Sequence, residues 1–299
     1  MPSAPGSLSP AIPPSSGDPR SSSPGQLFAS ACAEQGKAAR VELPATITEQ
    51  FPGFARRPRI AMRSLFKIVK ISEPAANYWF ETHPSGAAGA VADQELRAEA
   101  GFEFRSGSVA LSPITAWVQI PTPLLDDRDA LASFIDFRLL VRLGTAENQA
   151  LARGPGGLLA APGIRRLPPG PDPVTSLLAA CDHVELVGGS ADGIVMNTTD
   201  YYRYLVPRAD VVSSLAALGI RIARTRMVPA GTIIVGDFFA GTTIFDSGRS
   251  TIAFGQPPAG TFARDGIAVR AEIRTALAIH LPTHLFVASL VPGARGAPS

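Results

Sequence analysis

Residues 124–154, LLDDRDALASFIDFRLLVRLGTAENQALARG, constrain the fold more than any other stretch of the chain. Leu131, Phe134, Ile135, Leu139, Leu143 and Ala146 recur at three- and four-residue spacing, which gathers them on one side of an α-helix. Asp126 or Asp127 can cap its start, where acidic groups meet the positive end of the helix dipole, and Gly154 with Pro155 stops it. At 1.5 Å per residue, a helix from about 127 to 152 spans about 39 Å, enough to cross a whole domain. Any fold for this chain has to be built along that one-sided rod.

The stretch RDGIAVRAEIRTALAIH, residues 264–280, has the other periodicity. Ile267, Val269, Ala271 and Ile273 alternate with Arg270, Glu272 and Arg274, so a strand separates an apolar face from a ladder of alternating charge. A helix would instead stack Arg270 on Arg274 and scatter the apolar residues. Two further strand-like arms, IVKISEPAANYWFETH (68–83) and SVALSPITAWVQIP (108–121), flank a small-residue and acidic middle too long for a hairpin turn. They predict a protruding extended loop. Trp79 and Trp117 lie on opposite arms, and either pack near each other or fill separate gaps.

The remaining pattern mixes both element types. A helix is expected near 173–187, a strand at 192–197 and a short helix within 199–208, ended before Pro207. From Val211 to Phe254 the Gly- and Pro-punctuated runs VVSSLAALGIRIARTRMVPAGTIIVGDF and TTIFDSGRSTIAF read as strands, giving an α+β chain with more than one sheet. Residues 1–25 are too rich in Pro, Ser and Gly to bury a core and read as a disordered tail. From 26 to about 59 no periodicity is sustained, as in an arm that orders only against a neighbour. Residues 291–299 read as a flexible end.

A chain of 299 residues that is 45% hydrophobic can bury a large core, while a net charge of +2 makes no case by itself for a nucleic-acid partner. Local charge is another matter. RRPRIAMRSLFKIVK, residues 56–70, holds Arg56, Arg57, Arg59, Arg63, Lys67 and Lys70 with no acidic residue, either a solvated face beside an apolar stripe or a contact with an acidic partner or neighbouring subunit. Cys32 and Cys181 form neither a disulfide framework nor a ligand cluster and fit a reducing cytoplasm. The first residues lack the basic start and apolar run of a secretory signal, and no run offers the roughly 20 apolar residues of a membrane span, so a soluble chain without a membrane partner is expected.

Chemistry-bearing motifs are scarce. His280 and His284 have a helical metal-ligand spacing, but Pro282 lies between them and no acidic partner is near. Asp192 with Gly193 follows VELVGGS, which lacks the spacing of a phosphate-cradling loop, and Asp237 stands in GDF without a partner. No nucleophile elbow occurs, neither cysteine sits in a catalytic motif, and His83 and His183 are isolated. No catalytic residue, metal or cofactor is expected. A soluble α/β enzyme drawing on Asp237, His280 and His284 is the alternative reading, and a monomeric binding module using 56–70 is a third.

The order of these phrases carries a resemblance. The irregular arm, ISEPAANYWFE opening a long loop, the helix after LLDD, DGIVMN before a short helix, VPAGTIIVGDF, and the closing FARDGIAVRAEIRTALAIHLPTHLFV are together similar to the major capsid proteins of tailed phages. That fold, named after phage Hong Kong 97, is shared with encapsulin shells. The resemblance spans about 26–290. It implies an N-terminal arm at 26–71, an E-loop at 72–120 that lies over a neighbouring subunit, and a P-domain with its spine helix at 121–172. It further implies an A-domain over most of 173–262 and a closing P-domain strand and return at 263–290.

By that resemblance the chain is a protomer that self-assembles into an icosahedral shell, cytoplasmic as an encapsulin-type nanocompartment or part of a virion, around cargo protein or DNA. Its expected assembly contacts are Trp79, Trp117, Arg56, Arg57, Arg59, Arg63, Arg270, Glu272 and Arg274. Some phage shells are cross-linked through a lysine of the E-loop, and residues 71–122 contain none. A Pro/Ser-rich start in place of a helical scaffolding segment tilts the expectation toward a nanocompartment.

Overall fold

A computed structural model of the chain describes residues 22–48, 62–85, 101–255 and 266–290. The chain opens with helix α1 (Pro24–Gln35) and strand β1 (Arg40–Leu43). A 3-10 turn (Met62–Leu65) leads into β2 (Lys67–Lys70), followed by β3 (Ala75–Ser85), β4 (Gly101–Ala110) and β5 (Ser112–Pro121). The long helix comes next, in three pieces: α2 (Arg128–Phe134), a π-helical turn (Ile135–Leu139) and α3 (Leu140–Arg153). β6 (Arg165–Leu167), α4 (Pro173–Leu186) and β7 (Gly193–Met196) follow. A short helix α5 (Thr198–Asp200) then runs into a second π-helical turn (Tyr201–Leu205) and α6 (Ala209–Ala217). The last elements are β8 (Arg221–Arg224), β9 (Thr232–Gly236), α7 (Phe238–Gly241), β10 (Thr242–Gly255), β11 (Gly266–Ile279) and β12 (Leu285–Ser289).

Among the described residues, two five-stranded sheets and one two-stranded ribbon result. In the first sheet β1, β10, β11 and β5 lie in that order, with β2 parallel to the start of β10. The long helix packs on this sheet: Leu131, Ile135, Leu139 and Leu143 meet Val118, Ile120, Ile252, Val269, Ala271 and Ile273, and α1 adds Phe28. The second sheet runs β6, β12, β9, β7, β8. One face takes Leu177, Ala180 and Val184 of α4, Leu205, and Val211 and Leu215 of α6. The other face meets Leu151 at the end of the long helix, Met62, Leu65, Phe66, Phe238 and Ile244, and so joins the two sheets.

The spacing of the long helix explains its π-helical turn. Leu131, Ile135, Leu139, Leu143, Glu147 and Leu151 are all buried at a strict four-residue interval, which drifts about 40° per step on a helix of 3.6 residues per turn. A wider turn midway brings the stripe back toward the sheet. Asp127 is the cap, accepting from Ala130 N at 2.9 Å, and Gly154 closes the helix through Ala150.

Two sequence expectations need correction. The run VVSSLAALG is not a strand but the end of α6, because Val211 and Leu215, one helical turn apart, are the positions that reach the core; Gly219 at φ 79° then ends it. The segment from residue 26 is not irregular: α1 starts at Pro24 on a capping box, Ser23 Oγ accepting from Gln26 N and Gln26 Oε1 accepting from Ser23 N. Gly25 N donates to Asp136 Oδ1 at 2.8 Å, and a Cβ on Gly25 would lie 2.2 Å from the Ala132 carbonyl oxygen, so α1 sits tightly on the long helix.

At the junction of the sheets lies a buried ion cluster. Arg63 Nη1 donates to Glu147 Oε1 at 2.6 Å and Arg63 Nη2 to Asp246 Oδ2, with all three residues shielded from solvent. Asp246 opens the bulge of β10, where its Oδ1 also accepts from Thr46 Oγ1 and Gly248 N, each at 2.6 Å. Ser250, across the bulge, accepts from Ile47 N and donates to Ala45 O. Burial pulls the Arg63 guanidinium down, but Glu147 and Asp246 outweigh it and hold it above its ordinary value; burial pushes the Glu147 carboxyl up against the pull of Arg63. Arg63, expected as a contact between protomers, instead pairs within its own chain, because it is the cation that two core carboxylates require.

Arg63→Ala leaves both carboxylates buried without a counter-charge and is expected to cost about 3–5 kcal/mol in urea denaturation. A second prediction concerns Asp136, whose carboxyl burial pushes above the usual range despite bonds from Ser23 and Gly25. A raised folded-state pKa means its contribution is present below the unfolded pKa and lost as pH rises through the raised value. Asp136→Asn keeps the acceptor for Gly25 without the charge, so it is expected to melt above the wild type at neutral pH and level with it in acid.

Candidate functional site

Of the residues with catalytic potential, Asp192, Asp237, His183 and His280 make contacts that hold the fold together, while the buried Nδ1 of His284 has no hydrogen-bond partner among the described residues. Asp237 Oδ1 caps α7 through Ala240 N at 3.0 Å, and its Oδ2 accepts from Ser190 N at 3.1 Å. Asp192, its carboxyl pushed up by burial, accepts from Phe238 N and Phe239 N at 2.7 and 3.0 Å. His284 lies in the turn Pro282–His284, its carbonyl accepting from Asp237 N, and His183 stacks on Phe286. Burial pushes the Cys32 and Cys181 thiols up to about 11 and about 12. Among the described residues no group of three or more His, Cys, Asp and Glu could hold a metal ion, and no helix is long and apolar enough to cross a membrane.

His280 serves the ribbon. Its Nδ1 lies 2.8 Å from the Trp79 carbonyl oxygen, which can only accept, so Nδ1 carries a hydrogen, and its Nε2 lies 2.9 Å from Thr243 Oγ1. The Tyr78 ring stands edge-on to the imidazole at 5.5 Å, and Glu81 N donates to the His280 carbonyl at 2.8 Å. β3 is thereby pinned to the end of β11, while Leu111 N bonds Pro74 O across the base of the ribbon.

Beyond this clamp β3 and β4, among the described residues, pair only with each other, with a bulge between Glu81 and His83. Tyr78 lies over Gly107, where a Cβ would come within 3.0 Å of the ring. Trp79 on one strand and Phe104 on the other are 66% and 57% exposed. The expected arms need revision here: the mate of β3 is β4, and the run SVALSPITAWVQIP divides at Leu111 between β4 and β5. The division follows the core, since Ala116, Val118 and Ile120 alternate inward on β5, whereas residues 103–110 of β4 supply no buried side chain. Trp79 and Trp117 accordingly sit in different sheets.

Trp117 instead joins the charge ladder. It lies opposite Arg270 in the β5–β11 register, on the sheet face away from the long helix. Arg270 Nη2 and Arg274 Nε approach Glu272 at 3.6 and 3.3 Å, the two arginine side chains 53% and 58% exposed and the carboxylate between them 20%. Trp117, Arg270, Glu272 and Arg274 form one open surface, whereas Lys67 and Lys70 lie on β2 at the other side of β10. Arg56, Arg57 and Arg59 lie outside the described residues.

Comparison with known proteins gives this geometry a family. The chain is 25% identical over 256 residues to the major capsid protein of Enterobacteria phage HK97, covering 79% of this chain and 66%, just under two thirds, of that protein. Its fold superposes on the virus-like particle of Pyrococcus furiosus with a TM-score of 0.59 at 14% identity, covering 82% of this chain and 97% of the other. The capsid of a native GTA particle matches at a TM-score of 0.54 and 18% identity, with 79% and 91% covered. A structure from Mycobacterium phage Adephagia matches at 0.56 and 15%, with 80% and 92% covered. Residues 44–203, more than half of the chain, match the Phage capsid family, and the chain belongs to that family.

Proposed function

We propose that this chain is the structural protomer of a closed, icosahedral protein shell built from many copies of itself, formed in the cytoplasm or as part of a virion around protein cargo or DNA. One observation carries this reading: a ribbon of 11- and 10-residue strands, β3 and β4, leaves the body with exposed Trp79 and Phe104 and, among the described residues, no core of its own. Two strands alone are marginal in water, so such a ribbon gains its full stability by lying on another surface. In a protein of this family that surface belongs to a neighbouring copy.

On this reading β3–β4 is the E-loop, and the long helix on the first sheet is the spine of the P-domain. The second sheet with α4, α5 and α6 is the A-domain, and α1 is the N-terminal arm. The ladder of Arg270, Glu272 and Arg274 with Trp117 is a P-domain contact face. Each ion pair there is worth about 0–1 kcal/mol in an isolated protomer, but a contact repeated at every equivalent position of a closed shell acts cooperatively. The role is architectural rather than catalytic.

The purified chain is expected to elute from a sizing column far above monomer size and to show closed particles by negative-stain microscopy; a monomer-sized peak without particles would overturn the proposal. Denaturing gels of the particles are expected to lack cross-linked ladders traceable to residues 71–122. Glu272→Ala is expected to lower the denaturant concentration at which particles fall apart, and an unchanged midpoint would make the ladder solvated surface only.

A further inference from the structure

Large apolar side chains exposed on the helical layer over the second sheet include Leu178 at 45%, Leu186 at 71%, Tyr202 at 58% and Val206 at 49%. They divide between two surfaces of opposite charge. On α4, Leu178, Asp182, Glu185 and Leu186 fall at positions i, i+4, i+7 and i+8, which is one helix face. All four are exposed, and neither carboxylate has an ion-pair partner among the described residues. This face is apolar with unanswered negative charge.

The second surface is its complement. Tyr202 and Val206 lie one turn apart beside Arg203 and Arg224. The Arg224 guanidinium sits 4.6 Å above the Tyr201 ring and 5.8 Å from that of Tyr202, and Arg203 sits 5.3 Å over Tyr204. The carboxylates nearby are committed elsewhere: Asp200 is buried and accepts from Gly231 N at 2.7 Å, while Asp210 takes both arms of Arg208 at 3.2 and 3.0 Å. Arg203 and Arg224 therefore present charge without a carboxylate partner among the described residues. Held flat on tyrosine rings, they have less conformational freedom to lose on docking.

We propose that the outer face of α4 in one copy of this chain seats on the Tyr202–Val206–Arg203–Arg224 surface of the next, with Asp182 and Glu185 meeting the two arginines and the leucines covering Tyr202 and Val206. This rests on the shell reading and names the surfaces that join its protomers. Pairing α4 with α4 would set Asp182 and Glu185 against themselves, so the α4 face takes the arginine surface instead, and in a closed shell that contact repeats head to tail around rings. A nucleic acid on the arginines would leave the acidic, leucine-bearing face of α4 without an occupant.

Charge reversal tests the pairing. Asp182→Arg with Glu185→Arg, and separately Arg203→Glu with Arg224→Glu, are each expected to abolish particles while leaving folded protomers by circular dichroism; the four-fold variant is expected to recover them. The milder Asp182→Asn with Glu185→Gln is expected to raise the protein concentration needed for assembly about tenfold. Unchanged particle yield in either reversal, or a folded four-fold variant that stays unassembled, overturns the pairing alone. A wild-type chain without particles overturns both the pairing and the shell reading. Arginine reversals that spare assembly but abolish retention of a labelled single-stranded oligonucleotide would replace the protein partner with a nucleic acid.

Discussion

The cluster of Arg63, Glu147 and Asp246 is the point on which the architecture turns. Glu147 occupies a core position in the stripe of the long helix, Asp246 begins the bulge of β10, and Arg63 comes from the turn before β2. Three segments far apart in sequence must meet within hydrogen-bond distance, or charges stay buried without partners. Such a cluster adds little stability over apolar packing, yet a lost member is costly, so it discriminates strongly against misregistered assemblies of the same elements. Residues 45–47 are drawn into the same site through Thr46 and the Ser250 hydroxyl, which fixes the approach of the N-terminal segment to the sheet.

The bulge that this cluster surrounds also shapes the outer surface. β10 and β11 are both 14 residues long, and between Asp246 and Ser250 the register shifts, with Gly248 at φ 64°. A bulge strengthens the local twist of a long hairpin. Before it, β10 pairs with β2 and packs Ile244 toward the second sheet; beyond it, β10 pairs with β1 and packs Ile252 under the long helix. One hairpin thus serves two cores, and buried charge marks where it changes from one to the other.

What could be read from the sequence followed burial. The long helix and the alternating β11 were legible because each lays one clean face on a core, as were Arg270, Glu272 and Arg274 on the open face, while the choice of Asp127 over Asp126 as the cap came only from the structure. Helix α6 was not, since Val211 and Val212 favour a strand locally and only tertiary packing selects Val211 and Leu215. α1 had a signal that could have found it, Ser23-Pro24-Gly25-Gln26 being both a capping box and a proline-started helix. β4 had no periodic signal because, among its described side chains, none is buried. Arg63 belonged to a basic run that reads as surface, and nothing local reveals that two carboxylates 84 and 183 residues away claim it.

The family resemblance placed Trp79 and Trp117 in one loop, and the structure separates them by what each sheet does. Trp117 belongs to a rigid, helix-backed sheet whose other face carries the ladder; Trp79 belongs to a ribbon pinned midway along β3 by His280, whose ring bridges the Trp79 carbonyl and Thr243. The ribbon meets the body around Trp79 and the buried Glu81, so the strands beyond that contact adjust at lower cost than the ladder face, which cannot move without the core beneath it. A closed shell built from chemically identical chains needs both behaviours, because contacts must repeat while local curvature differs between positions. Rigidity in the sheet and compliance in the ribbon divide that requirement between two surfaces, and the hydrogen bonds of His280 are where one gives way to the other.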